Sequence, residues 1–503
     1  MPWRLQTLRP LIRVPKERAW ICESRSTSTR GTRSRNYHAT SPRRIAISAK
    51  ELKFGQPVHE THPHLLKAGE ITPGISALEY AERRWRLAEL LPDGAVAIIP
   101  GANVKYRSGS VFHEFHQDPD FFYLTGFNEP EALAVIEKTT SKTPTFHLFL
   151  RPKHPKSEQW EGSRSGLQSA LDVFNADESH PINQLEKTLP KILSGATKIY
   201  TDLPRSYQHN SSFSRYLSGA APRPEYGVAK AIKDAGGEVE GLRSVMNGLR
   251  VKKNEAEIEC MIIAGKASGM AFTEAMRRSW KGEKELSNFL DYQFKVNGCD
   301  GPAYVPVVAG GENALSIHYV RNDDLLDPNS MILVDAGGEY GGYITDITRT
   351  FPNNGTFSPA QEDLYECVLT VQRKCIAMCK QSSQTTLDKI HAVAEAGLRD
   401  GLKGFGFDVS GGALETLFPH HLGHYIGLDV HDSPGYARTK TLESGHCITI
   451  EPGIYVPNDD KYPKHFRGMG IRIEDSVCVR EDSVLVFSTE AVKEVVDIEA
   501  LRH

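Results

Sequence analysis

The chain has 503 residues, 39% of them hydrophobic and 24% charged, with a formal net charge of −3. That length exceeds one ordinary core and sets two or more domains as the expectation, while no run approaches the ~18 apolar residues of an integral membrane segment. The charge is uneven: residues 1–50 carry ten Arg and two Lys against only Glu17 and Glu23, leaving the remainder acidic, which argues against the basic folded surface of a nucleic-acid-binding protein.

The basic head is rich in Arg and Ser/Thr and poor in acids, the composition of a mitochondrial transit peptide. Leu5, Leu8, Leu11 and Ile12 fall on one helical face, interrupted by Arg4 and Pro10. No apolar core follows the basic residues, so the head is not a secretory signal. Targeting is favoured over an address-free basic tail. Beyond it, ISALEYAERRWRLAELL (75–91) predicts an amphipathic helix with Leu78, Ala81, Trp85, Ala88 and Leu91 on the apolar face. Residues 95–100, 121–127, 132–137 and 146–150 read as strands. Strands mixed with helices give an α/β domain up to about residue 245, and the polar stretch 151–225 has no clear period. A long helix is predicted over 254–278, with the domain boundary just before it, near Asn247. A second long helix starts at Ser358, an N-cap followed by Pro. Strand-like segments dominate the last eighty residues. The eight Cys are scattered without a C-x-x-C, Cys375 and Cys379 being the nearest to a pair, and read as buried thiols of a reducing compartment. AGGEN (309–313) is not a phosphate loop, since no Lys-Ser/Thr follows.

MILVDAGGEYGGYITDITRTF (331–351) predicts two strands joined by a Gly341-Gly342 turn. That register sets Asp335 opposite Thr348, and Asp346 shares the face of Thr348. Both carboxylates then point to one side as diagonal neighbours. Buried at that range, they share a proton or bind a cation; on an exposed face they are merely solvated. The apolar runs around them favour burial. Downstream, HCITIEPGIYV (446–456) sets Glu451 on a strand whose other face is Ile448 and Ile450. MGIRIEDSVCV (469–479) sets Arg472 and Glu474 on one face, Ile471 and Ile473 on the other. FPHHLGHYIGLDVHD (418–432) carries His420, His421, His424 and His431.

With VDAGGEYGGYITDITRTF, HHLGHYIGLDVHD, TIEPGIY, GIRIEDSV, SIHY (316–319) and QDPDFFYLTGFNEPEA (117–132), the chain resembles the pita-bread metallopeptidases over about residues 70–500. Within them it is most similar to aminopeptidase P (Xaa-Pro aminopeptidase), in particular the mitochondrial branch that includes the intermediate cleaving peptidases. The resemblance implies a transit peptide over 1–37, an α/β N-terminal domain of the creatinase/aminopeptidase P type over 70–246, and an α+β pita-bread catalytic domain over 247–503.

It also implies a metal-ligand set of Asp335, Asp346, His424, Glu451 and Glu474. Asp346 and Glu474 bridge two metals, Asp335 completes one site, and His424 and Glu451 complete the other. The oxygen-rich set suits two Mn²⁺ ions, with Co²⁺ or Zn²⁺ as substitutes. Metal-activated water then attacks the first peptide carbonyl. His420 and His431 take positions that stabilise the substrate carbonyl and the tetrahedral intermediate, and His318 one that contacts substrate. Glu451 is the proton carrier, Arg472 orients the carboxylates, and His421 is structural. An acidic cavity suits a cationic peptide N-terminus, hence an exopeptidase. One departure stands out: His116 precedes Gln117 where the bacterial enzymes usually carry Arg.

The implied activity is release of one N-terminal residue, from X-Pro peptides or from processed mitochondrial precursors. The alternatives are a prolidase restricted to dipeptides and a metal-free binding protein on the same fold. The implied partners are peptide or protein N-termini, and a homo-oligomer is left open. The implied location is the mitochondrion, in the matrix or associated with the inner membrane. Arg35-Asn36-Tyr37 matches a processing site that leaves Tyr37 first, so the chain is a candidate substrate of its own activity, with His38 as the final N-terminus.

Overall fold

The computed structural model describes residues 53–138, 143–203, 224–236 and 238–502. The transit segment, its Tyr37 cleavage site and residues 204–223 of the polar stretch lie outside them. No helix among the described residues is long and apolar enough to cross a membrane.

The N-terminal half is built on a mixed six-stranded sheet. Its strands are β1 (Ala95–Pro100), β2 (Leu133–Glu137), β3 (Thr145–Leu150), β4 (Glu178–Pro181), β5 (Lys198–Tyr200) and β6 (Glu238–Glu240), in the spatial order β6-β5-β1-β2-β3-β4. The apolar runs read as β1, β2 and β3 become its centre, buried on both faces. One face packs on α1 (Ala77–Leu90) and α2 (Pro119–Thr125); the other packs on α3 (Leu185–Leu193) and α4 (Pro224–Ala235).

Two expectations fail here. FFYLTGF forms α2 rather than a strand: Asp118 caps it by accepting from the Phe121 N–H at 2.9 Å, Pro119 opens it, and Gly126 closes it at φ 63°. In α1, Leu78 and Trp85 face solvent, and Tyr80, Arg83, Arg84 and Leu87 are buried. The guanidiniums of Arg83 and Arg84 are accommodated by the Tyr123 and Leu124 carbonyls, which they reach at 3.1 and 2.8 Å, and by the ring faces of Tyr123 and Phe146.

The second half is an α+β domain, as the resemblance implies. Two of its strand groups are three-stranded sheets: β7 (Val307–Gly310), β8 (Met331–Ala336) and β11 (Ile347–Pro352) form one; β12 (Cys447–Ile450), β15 (Asp475–Val479) and β16 (Val484–Val486) form the other. The short ladders β9 (Gly338–Tyr340) with β10 (Tyr343–Ile344), to which Gly301–Pro302 adds a third strand, and β13 (Gly453–Tyr455) with β14 (Gly470–Arg472), extend them. The helices α5 (Glu255–Met276), α6 (Glu283–Val296), α7 (Pro359–Ala377) and α8 (Leu387–Gly404) cover the sheets through one large apolar core. Capping boxes start α5 (Asn254 with Glu257) and α7 (Ser358 with Gln361), the latter at the N-cap read from sequence.

The halves share a core in which Phe122, Tyr343, Ile344 and Leu428 pack together. Gly341 and Gly342, at φ 60° and 87°, make the tight turn. A Cβ on Gly342 would lie 2.6 Å from the Phe122 ring, so the bare turn docks directly on α2. The seven described cysteines are free, and all but Cys367 are buried.

Candidate metal centre

Each of the two ribbons that carry the expected acidic ligands is one hairpin broken at its middle. In the first, Asp335 pairs with Thr348 and Tyr340 with Tyr343, the single register that the Gly-Gly turn predicts. In the second, Ile450 pairs with Asp475 and Gly453 with Arg472, again one register on both sides of the break. Carrying these registers through the breaks sets Asp346 opposite Gly337, and Glu451 opposite Glu474. Three of the expected ligands therefore sit at corners where the chain leaves one ladder for the next. This corrects the placement of Glu451 and Glu474 within strands: β12 ends at Ile450, and β14 and β15 flank the Ile473-Glu474 corner. Pro452 cannot donate to a ladder, and the freed Glu451 N–H donates to the Leu422 carbonyl at 2.8 Å.

The corners are tied to each other. The Asp346 N–H donates to Ser476 Oγ at 2.9 Å, and that hydroxyl donates back to the Asp346 carbonyl at 2.8 Å. The Glu474 N–H donates to the Thr348 carbonyl at 3.0 Å. A Cβ built on Gly337 would lie 1.8 Å from the Thr345 carbonyl oxygen. Gly337→Ala must therefore push the Thr345-Asp346 corner outward. The expected cost is about 3 kcal/mol of stability, read as a drop in denaturant midpoint, together with a loss of peptidase activity.

The structure brings Asp335, Asp346, His424, Glu451, Glu474 and Arg472 together, Asp346, Glu474 and Arg472 buried and the other three partly so. His424 Nε2 lies 3.5 Å from Asp346 Oδ2 and 3.6 Å from Glu451 Oε1. Ligand atoms of Asp346, His424 and Glu474 all fall within 4.8 Å of one another. Arg472 donates to Asp335 Oδ2 at 2.5 Å, to Tyr455 Oη at 2.7 Å and to Thr348 Oγ1 at 3.1 Å. The Thr348 hydroxyl in turn donates to Glu474 Oε2 at 2.7 Å. The other Glu474 oxygen, Oε1, is buried without a hydrogen-bond partner.

Burial, with the Asp346 charge beside it, pushes the Asp335 carboxyl up to about 6 despite Arg472. Burial carries Glu451 to about 7. Burial and three neighbouring carboxylates hold Glu474 well above the usual range. Burial would also raise Asp346, but His424 overrides it and holds that carboxyl low, and His424 itself stands up at about 9 against the same carboxylates. This is the electrostatics of a cluster built around positive charge.

His420 lies at the rim, its Nε2 2.9 Å from Tyr455 Oη and its Nδ1 2.9 Å from the His421 carbonyl. Burial and Arg472 lower its imidazole to about 3, so it is neutral. Its Nδ1–H then donates to the carbonyl and its Nε2 accepts from the phenol. His431 sets its ring edge-on to His424 at 4.5 Å; burial and the His424 and His318 imidazoles lower it. The His431 loop is anchored by Asp432, which receives Lys253 at 2.6 Å and also Arg250. Arg250 reaches Asp120 of α2 at 2.7 Å as well. His318 is exposed on the His431 side. His421 is outside the cluster, its ring against His391. His116 pairs with Glu339 at 3.0 Å, which holds its imidazole up at about 9. That pair borders a cavity of about 380 Å³ beside the Gly-Gly turn, which none of the clustered carboxylates lines.

Sequence reasoning missed Tyr304, whose Oη lies 2.7 Å from Asp335 Oδ1 and also contacts Asp346 Oδ1, and Tyr455, which links Arg472 to His420. Tyr304 stands in no pattern that marks it; Tyr455 closes the TIEPGIY signature, but its role there was not read.

Residues 259–481 match the model of metallopeptidase family M24, and residues 80–200 that of the aminopeptidase P N-terminal domain. The chain is 45% identical to intermediate cleaving peptidase 55 of Saccharomyces cerevisiae, over 89% of this chain and 88% of that one. It is 38% identical to human Xaa-Pro aminopeptidase 3, over 89% and 90%. Among solved structures, zinc-substituted Escherichia coli aminopeptidase P in complex with product superposes with a TM-score of 0.77 at 30% identity, covering 85% of this chain and 98% of that one.

Proposed function

The chain belongs to metallopeptidase family M24, in its aminopeptidase P branch, and is a metallo-aminopeptidase; from this we propose that it releases one residue from the free N-terminus of a peptide or processed mitochondrial protein, using two Mn²⁺ ions held by Asp335, Asp346, His424, Glu451 and Glu474. The observation that carries the reading is the convergence of Asp346, His424 and Glu474, with Glu451 beside His424, Asp335 joined to Asp346 through Tyr304, and Glu474 Oε1 unpartnered. An oxygen-rich donor set fits Mn²⁺, and Co²⁺ or Zn²⁺ as substitutes. When bound, the ions supply hydroxide at neutral pH and stabilise charge on the attacked carbonyl oxygen.

The protein's own groups do the rest. The His424 Nδ1–H donates to the Tyr425 carbonyl at 3.0 Å, which turns Nε2 toward Asp346 and Glu451, where a bound metal would take the place of its proton. Arg472 fixes the Asp335 carboxylate and, through Thr348, that of Glu474. Glu451 takes up the proton of the attacking water and returns it to the leaving amine. His420 and His431 face the substrate carbonyl and the tetrahedral intermediate, and His318 contacts the peptide beyond. The acidic surroundings receive the substrate ammonium, which favours exopeptidase over endopeptidase action. The basic head, residues 1–37, supports a mitochondrial location.

N-terminal sequencing of products from two peptide panels tests the reading. Purified, Mn²⁺-supplied enzyme is expected to remove the single first residue from X-Pro peptides, from Tyr-, Leu- or Phe-initiated peptides, or from both. Activity confined to X-Pro dipeptides would establish a prolidase, and inertness toward every free-amine peptide would overturn the reading. Edman sequencing of the mature protein is expected to begin at His38; a start at Tyr37 or Met1 sinks self-processing.

A further inference from the structure

On the outer edge of the N-terminal sheet, adjacent strands bring three ligand-type side chains to one face. His147 of β3 pairs with Glu178 of the edge strand β4, and His180 lies two residues on from Glu178, on the same side. Their atoms form a nearly equilateral triangle. His147 Nδ1 is 3.3 Å from His180 Nε2 and 3.3 Å from Glu178 Oε2, and His180 Nε2 is 3.4 Å from that oxygen. Donors bound at ~2.0–2.1 Å to a tetrahedral ion are about 3.3–3.4 Å apart, so all three edges match one face of a tetrahedron. A proton between the two imidazoles fills one edge and leaves the other two without a bond.

A second observation is independent of the triangle. The other nitrogen of His147, Nε2, lies 3.3 Å from Glu137 Oε2 on β2, which shares the same face. A carboxylate there takes the Nε2–H and leaves the Nδ1 lone pair aimed into the triangle, the outer-shell arrangement of metal-bound histidines. His147 is almost fully buried, its side chain 5% exposed, whereas Glu178 is 56% exposed. The fixed ligand is thus inside and the fourth position opens to water. Burial and the neighbouring His147 lower the His180 imidazole.

We propose that His147, Glu178 and His180 form a binding site for a divalent transition-metal ion of the Zn²⁺ class, separate from the catalytic centre. An ion there clamps the short edge strand β4 to β3.

The test uses the full chain and its His180→Ala and Glu178→Gln variants, each stripped of metal and titrated with Co²⁺. The wild type is expected to bind one equivalent more than His180→Ala, and that equivalent to carry the intense visible absorption of tetrahedral Co²⁺. Glu178→Gln, a change at an exposed edge position, keeps the proposal testable should His180→Ala not fold; it is expected to weaken that equivalent at least tenfold. Zn²⁺ is expected to raise the melting temperature of the wild type more than that of either variant, and peptidase activity at saturating Mn²⁺ to stay unchanged in both. Equal uptake and equal spectra in wild type and variants would overturn the proposal.

Discussion

Glu474→Gln is expected to lower kcat/KM about a thousandfold, roughly 4 kcal/mol of transition-state stabilisation, without unfolding the protein. Glu474 is 1% exposed, stands opposite Glu451 across the corner, and shares a low-dielectric pocket with Asp335 and Asp346. Gln keeps the shape and the oxygen that accepts from Thr348, and removes a carboxyl that must ionise against burial and three neighbouring carboxylates. In metal-free protein the substitution relieves repulsion, so the melting temperature is expected to hold or rise. With metal supplied, a ligand is missing and the bound-metal content falls. Stability and activity thus move in opposite directions, which a merely structural Glu474 would not produce. Elemental analysis, melting curves with and without Mn²⁺, and kinetics on one X-Pro peptide and one Tyr-initiated peptide check it. Full metal content with more than a tenth of wild-type turnover would contradict the assignment.

Arg349→Met is expected to cost about 3–5 kcal/mol of folding stability. Arg349 is among the largest fully buried side chains, in the strand that follows Asp346. It donates to Asp475 Oδ1 at 2.7 Å, to the Ala491 carbonyl at 2.8 Å and to the Glu474 carbonyl at 2.5 Å. Removing it leaves a buried carboxylate with Lys493 as its remaining cation, and Gln372 and Ser488 as neutral donors. Burial alone would raise the Asp475 carboxyl; Arg349 and Lys493 override that and hold it far below the usual range. A carboxyl depressed by folding adds stability that is complete above the unfolded carboxylate range and is lost as pH falls toward the depressed value. Loss of Arg349 raises the folded value, so acid unfolding is expected at higher pH than in the wild type. Denaturant melts at neutral pH and an acid titration followed by circular dichroism check both statements. The double variant Arg349→Met/Asp475→Leu is expected to lose less than the single one, because the charge it leaves unpaired, Lys493, is 21% exposed and reaches water.

The parts most legible in the sequence were those written in continuous local pattern. Apolar runs mark β1, β2 and β3, and the Gly341-Gly342 turn fixes a register that the backbone keeps. FFYLTGF misleads because a fully buried one-turn-plus helix has no polar face to set a period. Its signals were the flanking Asp118, Pro119 and Gly126. The buried face of α1 was hidden for a different reason: Arg83 and Arg84 find their partners on a segment some forty residues downstream. The acidic cluster could be read as a set of residue types in apolar surroundings, whereas its corner geometry depends on where ladders end. Tyr304 enters only through tertiary contact, and Tyr455, although inside TIEPGIY, shows its link between Arg472 and His420 only there. The edge triangle has a local trace, Glu178-Ser179-His180, but His147 joins it only through parallel pairing.

The unbroken register of the two bent ribbons also limits how such a chain can change its length. Adding or deleting one residue in either arm between turn and corner would rotate every side chain beyond it to the opposite surface. Asp335 and Asp346 could then no longer meet. Length variation in this half is thereby confined to hairpin tips and helix connections, and the corners act as fixed rulers from which the acidic groups are measured.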